Sequence, residues 1–191
     1  MSFNDTSSTR YTGLAIALHW LIAIAIVGSF AVGLYMADLA LSPQKLKLYS
    51  WHKWAGVTIF LFVAVRLGWR LSHRPPALPA GMPAWQSKTA VATHVLLYVL
   101  MIAIPITGWL MSSAKGFQTV YFGVLPLPDL LSKNEDLGKL LEEVHELLNW
   151  SMAALVVAHV GAALKHHFFD RDDVLTRMLP FLRNPSIGGM K

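Results

Sequence analysis

From Gly13 to Ala37 the chain carries no Lys, Arg, Asp or Glu. An uncharged apolar run of this length matches the roughly 20 residues a helix needs to cross about 30 Å of hydrocarbon. Three further stretches share the pattern. One runs from Trp54 to Trp69 with Arg66 as its single interior charge, and it reaches spanning length when Trp51, His52 and Lys53 form its first turn. The next, Thr89 to Ser113, contains Pro105 and Gly108, both tolerated in spanning helices. The last, Leu147 to Leu164, is uncharged and extends through His145 and toward His167. Composition agrees, with 54% of the 191 residues hydrophobic and 14% charged, against about 45–50% and about 25% in ordinary soluble domains.

The expected fold is therefore all-α, an integral membrane four-helix bundle forming one transmembrane domain over residues 1–191. Its spans fall at approximately 13–37, 51–71, 89–113 and 144–167. The segment 114–143 is the longest connection. Leucine, valine and histidine recur at helical spacing in its second half, which suggests a short interfacial helix leading into the last span. The stretch from Ser72 to Met82, rich in Pro and Arg, reads as an extended connection. The first span is too long for a removable signal peptide and has no small-residue cleavage site in the right place.

A formal charge of +5 raises the question of nucleic acid. The basic residues form no single patch. Arg10, Arg66, Arg70, Arg74, Lys88, Lys165, Arg171, Arg177, Arg183 and Lys191 fall on the side of the termini, and Lys45, Lys47, Lys53, Lys115, Lys133 and Lys139 on the other. A cytoplasmic excess of Lys and Arg sets topology, so both termini are expected in the cytoplasm and no nucleic-acid partner is needed.

The chain has no cysteine, which excludes thiolate zinc sites, iron–sulfur clusters and covalent haem attachment. Histidine is the ligand that remains. Ionisable residues within spans are costly and mark function by default, and His19, His52, His94, His145 and His159 all lie at or within spans. Any one alone is an ordinary packing histidine, but five need a joint account. His145 and His159 are fourteen residues apart, about 1400° of helix, so they share one face at a separation of about 21 Å. One helix can thus serve two centres. His19 matches His159 in depth near the cytoplasmic side, and His52 matches His145 near the outer side.

Two opposed imidazoles are too few for structural zinc, which takes four ligands. Haem brings four nitrogens and needs only two axial ligands. Two b-type haems follow, with iron held axially by His19 and His159 and by His52 and His145, and electron transfer as the natural task. Gly56 and Gly161 leave room for a macrocycle. Arg66, fourteen residues after His52, lies at the inner depth where propionates need a cation, whereas Arg70 sits nearer the interface. His94 is a competing inner ligand or a hydrogen-bonding neighbour. His166 lies nearly on the face of His159 and is a candidate quinone donor.

The elements Leu18-His19-Trp20-Leu21, His52-Lys53-Trp54-Ala55-Gly56 with Arg66-Leu67, Thr93-His94-Val95-Leu96-Leu97-Tyr98, Pro105-Ile106-Thr107-Gly108, Val144-His145-Glu146, and Ala158-His159 through His166-His167-Phe168 resemble the bacterial cytochrome b561 family over nearly the whole chain. The resemblance implies a dihaem protein of the bacterial inner membrane, related to the cytochrome b subunits of hydrogenases and formate dehydrogenases. It also implies an oxidoreductase that passes electrons from an outer donor to the quinone pool, with superoxide as donor and ubiquinone as acceptor. An anionic donor calls for a positive outer surface, for which Lys45, Lys47 and Lys53 are candidates; the alternative is that they are solvated loop lysines cancelled by the acidic stretch from Glu135 to Glu146. The rival expectations are a membrane anchor conducting electrons for a peripheral dehydrogenase or redox protein, and a haem-free histidine transporter or proton relay.

Overall fold

The computed structural model describes residues 10–182 except 74 and 80, so the topology charges Arg74, Arg183 and Lys191 lie outside the described residues. Four helices dominate: α1 (Gly13–Ala37), α2 (Pro43–Ser72), α3 (Ala84–Ala114) and α4 (Glu135–Lys165). A two-stranded antiparallel hairpin, β1 (Val120–Tyr121) and β2 (Leu125–Pro126), interrupts the α3–α4 connection. All four helices are long and apolar enough to cross a membrane.

Local chemistry starts the helices. Thr12, Ser42 and Asn134 cap α1, α2 and α4 by accepting from the amides of Ala15, Lys45 and Leu137 respectively, which satisfies donors a helix start otherwise leaves unpaired. The cap at Ser42, followed by Pro43 in the first turn, begins α2 eight residues before the span expected from hydropathy. The added turns are polar and project beyond the apolar stretch. The interfacial helix expected before the last span is not a separate element. Asn134 caps it, Glu135 and Asp136 occupy its first turn, and it runs unbroken into the span as α4. A single π-helical turn, His166–Asp170, closes that helix.

α1 packs on α2 and α3 on α4, and the α2–α3 contact joins the two pairs. Direct packing of α1 on α4 is slight, so His19 and His159 meet across the seam between these helices. Few side chains are buried. Ile22, Ile59 and Val63 form the core, with Phe62, Tyr98, Met101 and Ile102 packed around it. Large apolar residues such as Ile24, Val27, Val65 and Val157 face outward, the arrangement expected where lipid rather than water surrounds a helix bundle. The end of the bundle carrying the α1–α2 and α3–α4 connections is called the outer end below, and the opposite end the inner.

Candidate functional site

At the outer level, His52 in α2 lies against α1. Its Nδ1–H donates to the Ser29 carbonyl at 3.1 Å, and the Ser29 hydroxyl lies 3.1 Å from the same nitrogen. His145 in α4 lies against α3 in the same way, donating from Nδ1 to the Ile104 carbonyl at 3.1 Å with the Thr107 hydroxyl 3.2 Å away. A carbonyl only accepts, so each ring carries its proton on Nδ1 and keeps the lone pair on Nε2. The two ring centroids are 6.2 Å apart, with planes at 84°.

Two glycines let the rings sit this close to the neighbouring backbone. A Cβ at Gly33 would come 3.3 Å from His52 Cε1, and one at Gly108 would come 3.1 Å from His145 Cε1. Gly56 and Gly161, which the sequence suggested as spacers, have nothing within 4 Å of an added Cβ. Beside His52 lies a cavity of about 280 Å³ lined mainly by small residues, including Ala25, Gly28, Ser29 and Ala55.

The inner level holds three histidines. His19 and His159 have centroids 6.4 Å apart with planes at 66°, and His94 lies 5.5 Å from His159. Arg66 spans this level, donating from Nη1 to the Ala15 carbonyl at 2.7 Å and from Nε to the Tyr98 hydroxyl at 3.1 Å. It thereby ties α1, α2 and α3 together.

These residues fit haem. With a metal–nitrogen bond of about 2.0 Å and a ring centroid about 1.1 Å behind its nitrogen, two axial imidazoles stand about 6.2 Å apart, the spacing of both pairs. The outer pair adds a chemical argument. Two imidazoles protonated on Nδ1 have no proton to share through Nε2, so a Lewis acid satisfies both where a hydrogen bond cannot. Anchoring a ligating ring through its other nitrogen is the usual way such a tautomer is fixed.

The other residues named from sequence are dispersed around these levels. His166 Nδ1 is engaged by two carboxylates, Asp172 at 2.6 Å and Asp170 at 3.2 Å, and Asp170 also pairs with Lys165. Arg70 lies over the Tyr98 ring, 5.9 Å from its centroid. Arg70, His94 and Tyr98 line a groove of about 310 Å³ between α2 and α3 whose other walls are apolar, among them Val91, Val95 and Val99. At the outer end, Lys45 caps α1 by donating to the carbonyls of Ala37 and Leu39, Lys53 donates to the Phe117 carbonyl, and Lys47 lies over the Trp51 ring. Sequence reasoning missed Ser29, Thr107 and Tyr98 as parts of the site. Thr107 stands in the Pro105–Gly108 element, but nothing in the pattern pairs Ser29 with His52.

A four-span membrane protein with paired imidazoles on facing helices at two depths belongs to the class of membrane cytochromes b. Comparison with known proteins makes the assignment specific: residues 10–181 match the family model for prokaryotic cytochrome b561, and the chain belongs to that family. It is 38% identical over 181 residues to cytochrome b561 homolog 2 of Escherichia coli K12, covering 94% of this chain and 95% of the relative. Cytochrome b561 homolog 1 of the same organism is 28% identical over 179 residues, covering 90% and 97%. A probable superoxide oxidase, CybB, of Yersinia pestis is 27% identical over 172 residues, covering 90% and 96%. The chain is thus a multi-pass bacterial membrane protein of electron transfer, in a family whose name implies b-type haem.

Proposed function

We propose that this chain is a superoxide:ubiquinone oxidoreductase of the bacterial inner membrane, with one haem b on His52 and His145 and a second on His19 and His159. The observation that carries the reading is the outer imidazole pair, each ring protonated on Nδ1 by a backbone carbonyl contact and spaced for axial ligation. The Yersinia pestis relative, a probable superoxide oxidase, supports the choice of donor.

Haem, when bound, supplies an iron couple that changes by one electron. Held by His52 with His145 and by His19 with His159, it would supply electron transfer rather than oxygen binding. Two superoxide ions each lose one electron to become dioxygen, and ubiquinone takes up two electrons and two protons to become ubiquinol. Lys45 donates to neutral carbonyls, so its positive charge still attracts an anionic donor to the outer end, whereas the Asp129 carboxylate offsets part of the charge of Lys53. On the inner side, Arg70, His94 and Tyr98 present donors in an otherwise apolar groove, an environment suited to the carbonyl oxygens and apolar ring of a quinone. His94 at 5.5 Å from His159 brings that groove next to the inner pair. His166, held by Asp170 and Asp172, is the weaker candidate for this role.

The test is turnover of purified, haem-loaded protein in lipid nanodiscs with a superoxide source and ubiquinone. The expected result is one ubiquinol per two superoxide consumed, with a rate that falls as ionic strength rises. Haem-loaded protein that forms no ubiquinol from superoxide contradicts the reading.

A further inference from the structure

From Gly116 to Pro128 the chain has no charged residue, and this stretch contains the β1–β2 hairpin. A run of this length is too short to span a bilayer and is typical of an interfacial or re-entrant segment. Its apolar side chains are largely displayed: Val124 is 83% exposed, Leu125 57% and Phe122 60%, although one side of the Phe122 ring rests against Trp54 and Tyr121. Phe122 holds a φ of +49°, uncommon for a bulky residue, ahead of Gly123 at +73°. The turn thus presents an aromatic ring outward at a backbone position that glycine would occupy more easily.

The hairpin's level in the bundle is fixed by side chains of the spans. The Trp54 indole donates to the Val120 carbonyl at 2.7 Å, and the Trp109 indole donates to the Pro128 carbonyl at 3.1 Å. Tyr121 reaches further in. The Thr58 hydroxyl is committed to the Trp54 carbonyl, so the Tyr121 hydroxyl donates to Thr58 Oγ1 at 2.9 Å. Thr58 lies one turn, about 6 Å, deeper in α2 than Trp54. Tryptophans at span ends mark the boundary between headgroups and hydrocarbon, so the hairpin lies at that boundary and not above it. Its backbone is suited to the place, since the amides of Gly123, Val124 and Leu127 are paired within the segment to the carbonyls of Val120, Tyr121 and Thr119.

We infer that the β1–β2 hairpin is a membrane-interface anchor, its Phe122, Val124 and Leu125 side chains entering the lipid continuous with the outward face of the spans. This rests on the fold alone and stands apart from the proposed electron donor and acceptor. The absence of charge over residues 116–128 favours lipid over a protein partner, whose docking sites on soluble carriers are commonly steered by charge.

Because the chain contains no cysteine, Val124→Cys takes a nitroxide label without background. Labelled, haem-loaded protein is placed in liposomes, and collision with lipid-soluble oxygen is compared with collision with a water-soluble nickel chelate. The reference labels are Val65→Cys, on the outward face of α2, and Lys139→Cys, exposed on the outer end of α4. The expected oxygen-to-nickel ratio at position 124 is several-fold above that at 139 and approaches that at 65. A ratio at 124 equal to that at 139 places the hairpin in water and overturns the proposal, leaving the patch as a face for a protein partner. Leu125→Cys gives a second reading should the first variant not accumulate.

Discussion

Gly108 shows how closely the outer histidine pair depends on single atoms. An added Cβ would stand 3.1 Å from His145 Cε1, and the ring cannot easily yield because Nδ1 is held by both Ile104 and Thr107. Gly108→Ala is therefore expected to cost about 1–3 kcal/mol at the site, seen as roughly tenfold or greater weakening of the outer haem while the inner one is retained. Redox difference spectra of the variant report this, and unchanged content of both haems would count against it. Arg66 acts on the architecture, since its two hydrogen bonds join α1 and α3 through α2. Arg66→Ala should lower stability by about 1–3 kcal/mol, measured as a reduced thermal midpoint in detergent. The histidines themselves were legible in the sequence because ionisable groups stand out in apolar runs. Ser29 and the Ile104 carbonyl were not, because their roles arise only from how neighbouring helices are packed.

At the scale of the element, α4 decides the arrangement. It runs without interruption from Glu135 to Lys165, so the fourteen-residue step from His145 to His159 keeps both rings on one face about 21 Å apart. One alanine inserted after Ala153 turns the two histidines about 100° out of phase. The insertion is expected to remove one haem although all ligands remain, and a pyridine haemochrome assay giving full content would show that the shared face is not what matters. Pairing is tested similarly: His52→Ala and His145→Ala should abolish one haem signal, and His19→Ala and His159→Ala the other. Helical periodicity made this element readable, although its true start lay in residues that had looked like a separate short helix. The β1–β2 hairpin was not readable, since strands of two residues are too short to establish alternation, and its position depends on Trp54 and Trp109.

Over the whole molecule, the apolar surface and the division of charge act together. Large hydrophobic residues face outward along all four helices, and Lys and Arg are more numerous on the side of the termini. Both termini are accordingly expected in the cytoplasm: fusion of a fluorescent protein to the C-terminus should give a bright cell, and fusion of alkaline phosphatase there an inactive one. The reverse pattern would invert the proposed path from outer donor to inner quinone. The four spans were legible because hydropathy reports directly on lipid contact, whereas the slight packing of α1 on α4, across which His19 meets His159, emerges only in the assembled bundle. The central claim is that the bundle holds two haems on opposed histidines. Quantitative pyridine haemochrome assay of protein purified after ample haem supply, with low-temperature EPR of the oxidised form, tests it most directly. The account predicts two haems b per chain, both low-spin with two histidine ligands, and one haem per chain or a high-spin signal from intact protein would contradict it.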